Sequence, residues 1–140
     1  MRQSVNRCLK DKSMGRIDHA LGRPVNPLGD TFRDHFATDI DAPEAYDMAR
    51  SPYWHMGRKI EGGMVFFHVT KHGRIALSDH LQVIGDKHRQ FIVIWDGYEM
   101  PVIAETPSKA RYSKWVDIND ALPDLTFQEF LSTARVRLAS

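Results

Sequence analysis

Histidine is the first place to look for chemistry in this sequence. The 140 residues hold seven histidines, and His68, His72, His80 and His88 are spaced four, eight and eight apart. Imidazoles in such a series are what a metal centre or a general base would use. Here the spacing argues against a shared metal. His72 and His80 fall on one expected helix at i and i+8, about 12 Å apart by the helical rise, which is too far to share an ion. His68 stands before that helix within approach of His72, and His55 lies on the partner strand. No cysteine completes a set, and Asp79 is the only carboxylate suitably placed. The series reads as surface and structural histidine, with no metal or other cofactor.

A nucleophile is no easier to place. Cys8 is the sole cysteine, so an internal disulfide and a cysteine zinc site are both excluded. Arg7 and Lys10 beside it favour a thiolate, but no base accompanies them. No serine stands in a Gly-x-Ser-x-Gly elbow, and no glycine-rich loop has phosphate-binding spacing. Asp39 and Asp41 are explained by capping and solvation. No catalytic residues are assigned, and the chain reads as a non-enzyme.

The elements that would position any site are clearest from Tyr53 to Gly85. Trp54, Met56, Arg58 and Ile60 alternate with His55, Gly57 and Lys59, the two-residue period of a strand. Gly62-Gly63 supplies the positive φ angles of a hairpin turn. Val65, Phe67 and Val69 then alternate with Met64, Phe66 and His68 in a second strand. Thr70 is placed to cap a helix from Lys71, whose stripe is Leu77, His80, Leu81 and Ile84, and Gly85 ends it.

Upstream, Ser13 is expected to cap a short helix ending at Leu21 and stopped by Gly22 and Pro24. Residues 31–36 read as a short helix anchored by Phe32 and Phe36. Asp41 and Glu44 form a capping-box pattern with Pro43 in the first turn, opening a helix that ends near Arg50 before Pro52, with Ala45, Met48 and Ala49 buried. Downstream, FIVIW is an apolar strand with both faces expected covered, Asp96-Gly97 is a hairpin turn, and Pro101 places the return strand at an edge. Thr106 and Pro107 start a helix with Tyr112, Trp115 and Val116 inward, followed by a loop over 117–125. Thr126 and Glu129 open a last helix running through Phe127, Phe130, Leu131, Ala134 and Leu138. Arg135 and Arg137 would complement its dipole.

The fold class is therefore α+β, with a half over 1–85 and a half over 86–140 packed into one unit. With the hairpin ending in Val69-Thr70, then Gly73-Arg74 and Ala76-Leu77, residues 53–85 resemble the wing and final helix of winged-helix regulators of the MarR and PadR kind. Helix, helix, helix, hairpin, helix is the matching element order. The wider pattern of ALGRP, SPYW, WDG and PSKARY resembles small uncharacterised proteins of phages and prophages, which implies no activity.

Composition sets the partners. With 42% hydrophobic and 26% charged residues the chain is ordinarily globular, and its net charge of +1 gives no global basic field. No apolar run approaches the length of a membrane span, and the first residues lack a secretory core, so a cytoplasmic address is expected. Arg58 and Lys59 at the hairpin tip, joined by Arg74, are candidates for phosphate contact. Lys109, Arg111 and Lys114 form a second basic group for a phosphate or an acidic partner, with Arg111 and Lys114 sharing a face. Residues 31–50, by contrast, carry five acids and two bases, where a groove-reading helix brings Arg, Lys, Asn or Gln. The leading expectation is a non-catalytic binding module, a phage accessory protein engaging a host or phage complex. The alternative is a DNA-binding regulator, with dimerisation supplying a second half-site.

Overall fold

Two glycine turns organise the chain. Gly62 and Gly63 take φ of 91° and 84°, and Asp96-Gly97 takes 49° and 81°, the left-handed pair of a tight hairpin. Around them the computed structural model, which describes residues 4–139, builds an α+β fold with five helices and two three-stranded antiparallel sheets among those residues. The chain divides into two compact units, Met1–Asp86 and Lys87–Ser140.

In the first unit the order is α1 (Lys12–Leu21), β1 (His35–Asp39), α2 (Pro43–Arg50), β2 (Trp54–Ile60), β3 (Met64–Val69) and α3 (Lys71–Val83). The sheet runs β1-β3-β2. Val65, Phe67 and Val69 of β3 turn one face of the sheet into the core, where they meet Trp54, Ile17, Leu21, Met48, Leu77 and Leu81. The α3 stripe is thus Gly73, Leu77 and Leu81; Ile84, expected to continue it, is 51% exposed. Thr70 caps α3 as expected, accepting from Gly73 N at 3.2 Å, and its hydroxyl donates to Pro52 O at 2.7 Å. The helix is thereby strapped to the start of β2.

Several expectations fail here. Residues 31–36 form no helix, because the chain from His35 on pairs with β3, Phe36 opposite Phe67 and Thr38 opposite Val65. The chain therefore has one helix, not two, between α1 and the hairpin. Asp11 rather than Ser13 caps α1, accepting from Met14 N at 3.0 Å. The α2 N-cap is Ala42, without a side-chain cap bond, and Glu44 accepts from the Thr38 hydroxyl instead of closing a capping box. Ala49 is exposed. The alternation of β2 breaks at a bulge between Met56 and Lys59.

The second unit is β4 (Arg89–Trp95), β5 (Tyr98–Ala104), α4 (Pro107–Ala121), α5 (Phe127–Thr133) and β6 (Arg135–Leu138), with sheet order β5-β4-β6. Pro101 lies on edge strand β5, as its missing donor requires. Phe91 and Val93 are buried with Val102, Ala104, Ala110, Phe130 and Ala134, while Ile92, Ile94 and Trp95 are half-covered, so only one face of the apolar strand is sealed. Two corrections matter. The α4 helix continues through 117–121, where a loop was expected, with Tyr112 and Val116 54% and 46% exposed rather than inward. The last helix stops at Thr133, and Arg135 to Leu138 become a strand paired with β4. Arg135 and Arg137 thus serve no helix end.

Candidate functional site

The residues expected to contact phosphates differ in what the fold does with them. Arg58 and Lys59 are exposed on the last part of β2, beside the bulge, and no carboxylate among the described residues pairs with them. Arg74 is committed elsewhere. Its guanidinium donates to Pro27 O at 3.0 Å, Gly29 O at 3.2 Å and the Thr31 hydroxyl at 3.1 Å, holding the loop before β1. On α4, Lys109 lies 3.9 Å from Glu105 and Lys114 3.9 Å from Asp117, with the Lys114 side chain 19% exposed. The Nε of Arg111 is buried without a hydrogen-bond partner among the described residues. This second group is partly neutralised by Glu105, just before the helix, and Asp117 within it.

The helix in the reading position, α2, buries Ala45 and Met48 and turns Tyr46, Asp47 and Arg50 outward. Tyr46 is 64% exposed. Arg50 braces it, with Nη1 donating to the phenol oxygen at 2.6 Å and Cζ lying 5.0 Å from the ring centroid. One apolar-bodied ring, a stacked guanidinium and a carboxylate therefore share an exposed helix face. Tyr and Arg are the side chains most enriched where interfaces concentrate binding energy.

A third constellation was missed by sequence reasoning. Strand register sets His35 of β1 opposite His68 of β3, and His68 opposite His55 of β2. Directly opposed residues of antiparallel strands point to the same side. The three imidazoles thus form one row across all three strands, on the face turned away from the core. His35 and His55 are exposed and the His68 side chain is 43% exposed. His68 Nδ1 is 3.2 Å from Asp34 Oδ1, and the His35 and His68 ring centroids are 6.4 Å apart at 56°. The His35 ring also meets Phe66 edge-on at 5.4 Å.

Gly57 makes room for the middle ring. A Cβ there would lie 2.9 Å from both Cδ2 and Nε2 of His68. The one signal for this row in the sequence was that HFATD and MVFFHV both alternate, so either could pair with the other; the expected helix over 31–36 hid it.

His19, near the end of α1, has its pKa lowered, first by partial burial and then by the positive charges of Arg33 and Arg23, with Asp18 opposing. Arg33 also donates through Nε and Nη2 to His19 O. No described helix is long and apolar enough to cross a membrane. No family model, curated protein or solved structure matches the chain.

Proposed function

We propose that the chain is a non-catalytic binding module engaging a protein partner, consistent with a cytoplasmic accessory protein of a phage acting on a host or phage complex. The observation that carries the reading is the braced Tyr46 on α2. Its ring is 64% exposed while the opposite face of the same helix is buried, and Arg50 fixes its position. A ring pre-ordered in this way loses little side-chain entropy on docking. Asp47 and Glu44 beside it favour a partner with complementary positive charge and disfavour a polyphosphate.

The second reading, a DNA-binding regulator of winged-helix type, keeps the exposed Arg58 and Lys59 in its favour. It lacks Arg74, which is engaged with the 27–31 loop, and the second helix that a helix-turn-helix pair needs.

Affinity capture from a phage-infected host, comparing the unaltered chain with Tyr46→Ala and with the Arg58→Ala, Lys59→Ala pair, separates the two. Loss of a specific partner with Tyr46→Ala alone supports the protein-binding reading. Salt-steep binding to random duplex DNA that is lost with the Arg58→Ala, Lys59→Ala pair and kept by Tyr46→Ala replaces it with the regulator.

A further inference from the structure

We propose that the His35–His68–His55 row is a binding site for a divalent transition metal ion of the imidazole-preferring class, zinc, nickel or copper, with Asp34 as the positioning residue. The site is independent of the α2 face.

Strand pairing is what brings the ligands together. Side chains directly opposed across antiparallel strands have Cβ atoms about 4.5–5.5 Å apart. The His35–His68 and His68–His55 pairings repeat that spacing twice, so His68 is flanked on both sides by an imidazole on the same face. Imidazole nitrogen suits zinc, copper and nickel rather than calcium or magnesium, which choose oxygen.

His68 is already held as a metal-ligating histidine is held. Its Nδ1 faces the Asp34 carboxylate at 3.2 Å, which favours a proton on Nδ1 and leaves the lone pair on Nε2. A carboxylate on the far nitrogen fixes tautomer and ring orientation and raises ligand basicity. Gly57 leaves the space that the Nε2 edge of this ring occupies: any larger residue would put a Cβ 2.9 Å from Nε2. Asp34 on one side and a bare backbone on the other thus aim one nitrogen between β3 and β2, the strand that carries His55.

The rings are not yet closed on a common point. Among the described residues no three ligating side chains stand ready around an ion. The His35 and His68 centroids are 6.4 Å apart, whereas two imidazoles on one tetrahedral zinc have centroids about 5 Å apart, from Zn–N bonds of about 2.0–2.1 Å. His35 and His55 are exposed, so closing this gap takes side-chain rotation above a fixed sheet, with the His35 ring leaving its edge contact with Phe66. Solvent supplies the fourth ligand.

The test is titration of the full chain with zinc alone at neutral pH by calorimetry, with long-range proton–nitrogen spectra of the imidazoles. The expected result is one saturable equivalent, with ligation shifts at His35, His55 and His68. Asp34→Asn weakens binding about 10–100-fold, and His55→Ala and His35→Ala each weaken it at least about tenfold. Cys8→Ser and the pair His72→Ala, His80→Ala leave it unchanged. Both exposed histidines are replaceable without loss of fold, checked by circular dichroism. A zinc equivalent that survives the His35→Ala, His55→Ala double replacement, or no saturation below about 1 mM, overturns the site.

Discussion

Arg7 and Asp18 form an ion pair from which water is almost excluded. Arg7 Nη2 lies 2.6 Å from Asp18 Oδ1 and Nε 2.9 Å from Oδ2, with the two side chains 6% and 2% exposed. The same guanidinium donates to Pro24 O at 2.9 Å and to Asp86 Oδ2 at 3.2 Å. One side chain thereby ties the segment before α1 to α1 itself, to the loop after it and to the turn after α3.

Removing Arg7 leaves a carboxylate buried with no counter-charge. Arg7→Met is expected to destabilise the first unit by about 3–5 kcal/mol. The double replacement Arg7→Met, Asp18→Leu should recover part of that loss, since the more buried carboxylate is then gone while Asp86 still loses its Arg7 bond. Urea unfolding followed by the fluorescence of Trp54, the only tryptophan in the first unit, measures both.

Gly73 is the tightest joint between α3 and the sheet. A Cβ there would meet Tyr53 O at 2.6 Å and the Val69 side chain at 2.9 Å, and the first of these is backbone that cannot swing aside. Gly73→Ala should therefore cost about 1–3 kcal/mol of overpacking despite its helical site. Gly85→Ala is the comparison: it meets nothing within 4 Å, and its cost comes from a φ of 73° alone, about 1–2 kcal/mol. Thermal unfolding of the two alanine variants reads the cost of crowding at position 73 and of backbone strain at position 85.

His19 gives the first unit a pH dependence of definite sign. Its pKa is lowered in the folded chain by partial burial, then by Arg33 and Arg23, against Asp18. The unfolded chain therefore binds more protons at this position, so stability rises with pH. The contribution is intact above the unfolded value of about 6.5 and declines as the pH falls below it. His19→Gln should flatten this part of the stability curve while leaving the carboxylate-driven acid limb in place. Urea midpoints measured on both sides of neutrality read the difference.

Arg74 is expected to act on a loop and not on a polyanion. Arg74→Ala releases the carbonyls of Pro27 and Gly29 and the Thr31 hydroxyl. Amide exchange over 28–34 should accelerate, and any affinity for duplex DNA in fluorescence anisotropy should stay within about twofold. A reduced salt slope with unchanged exchange would instead mark Arg74 as a phosphate contact.

Local chemistry was legible in the sequence where a residue decides structure by itself. Thr70, Thr106 and Thr126 cap the helices they were expected to cap, each accepting from the amide three residues on. Gly22, Gly62 and Gly97 take the left-handed backbone their places required. What failed depended on partners far away in the chain. Residues 35–39 and 135–138 both become strand through the ladders that β3 and β4 offer them. Taken alone, Phe32 with Phe36, and Phe130 with Ala134 and Leu138, have helical spacing. The histidine row was hidden for the same reason, since its members are 20 and 13 residues apart in sequence and meet only through register. Spacing along one helix, by which His72 and His80 were judged, says nothing about such a set.

The pairing of β6 with β4 also constrains the order in which the second unit can be completed. Phe91 to Trp95 leave the ribosome about 40 residues before Arg135 to Leu138, which cover one edge of that strand. At about 5–20 residues per second, this leaves several seconds in which an uncharged β-branched and aromatic segment has a free edge. Such an edge is a template for pairing with another nascent copy. Aggregation during synthesis, not folded stability, should then be where substitutions in Arg135–Leu138 are first felt.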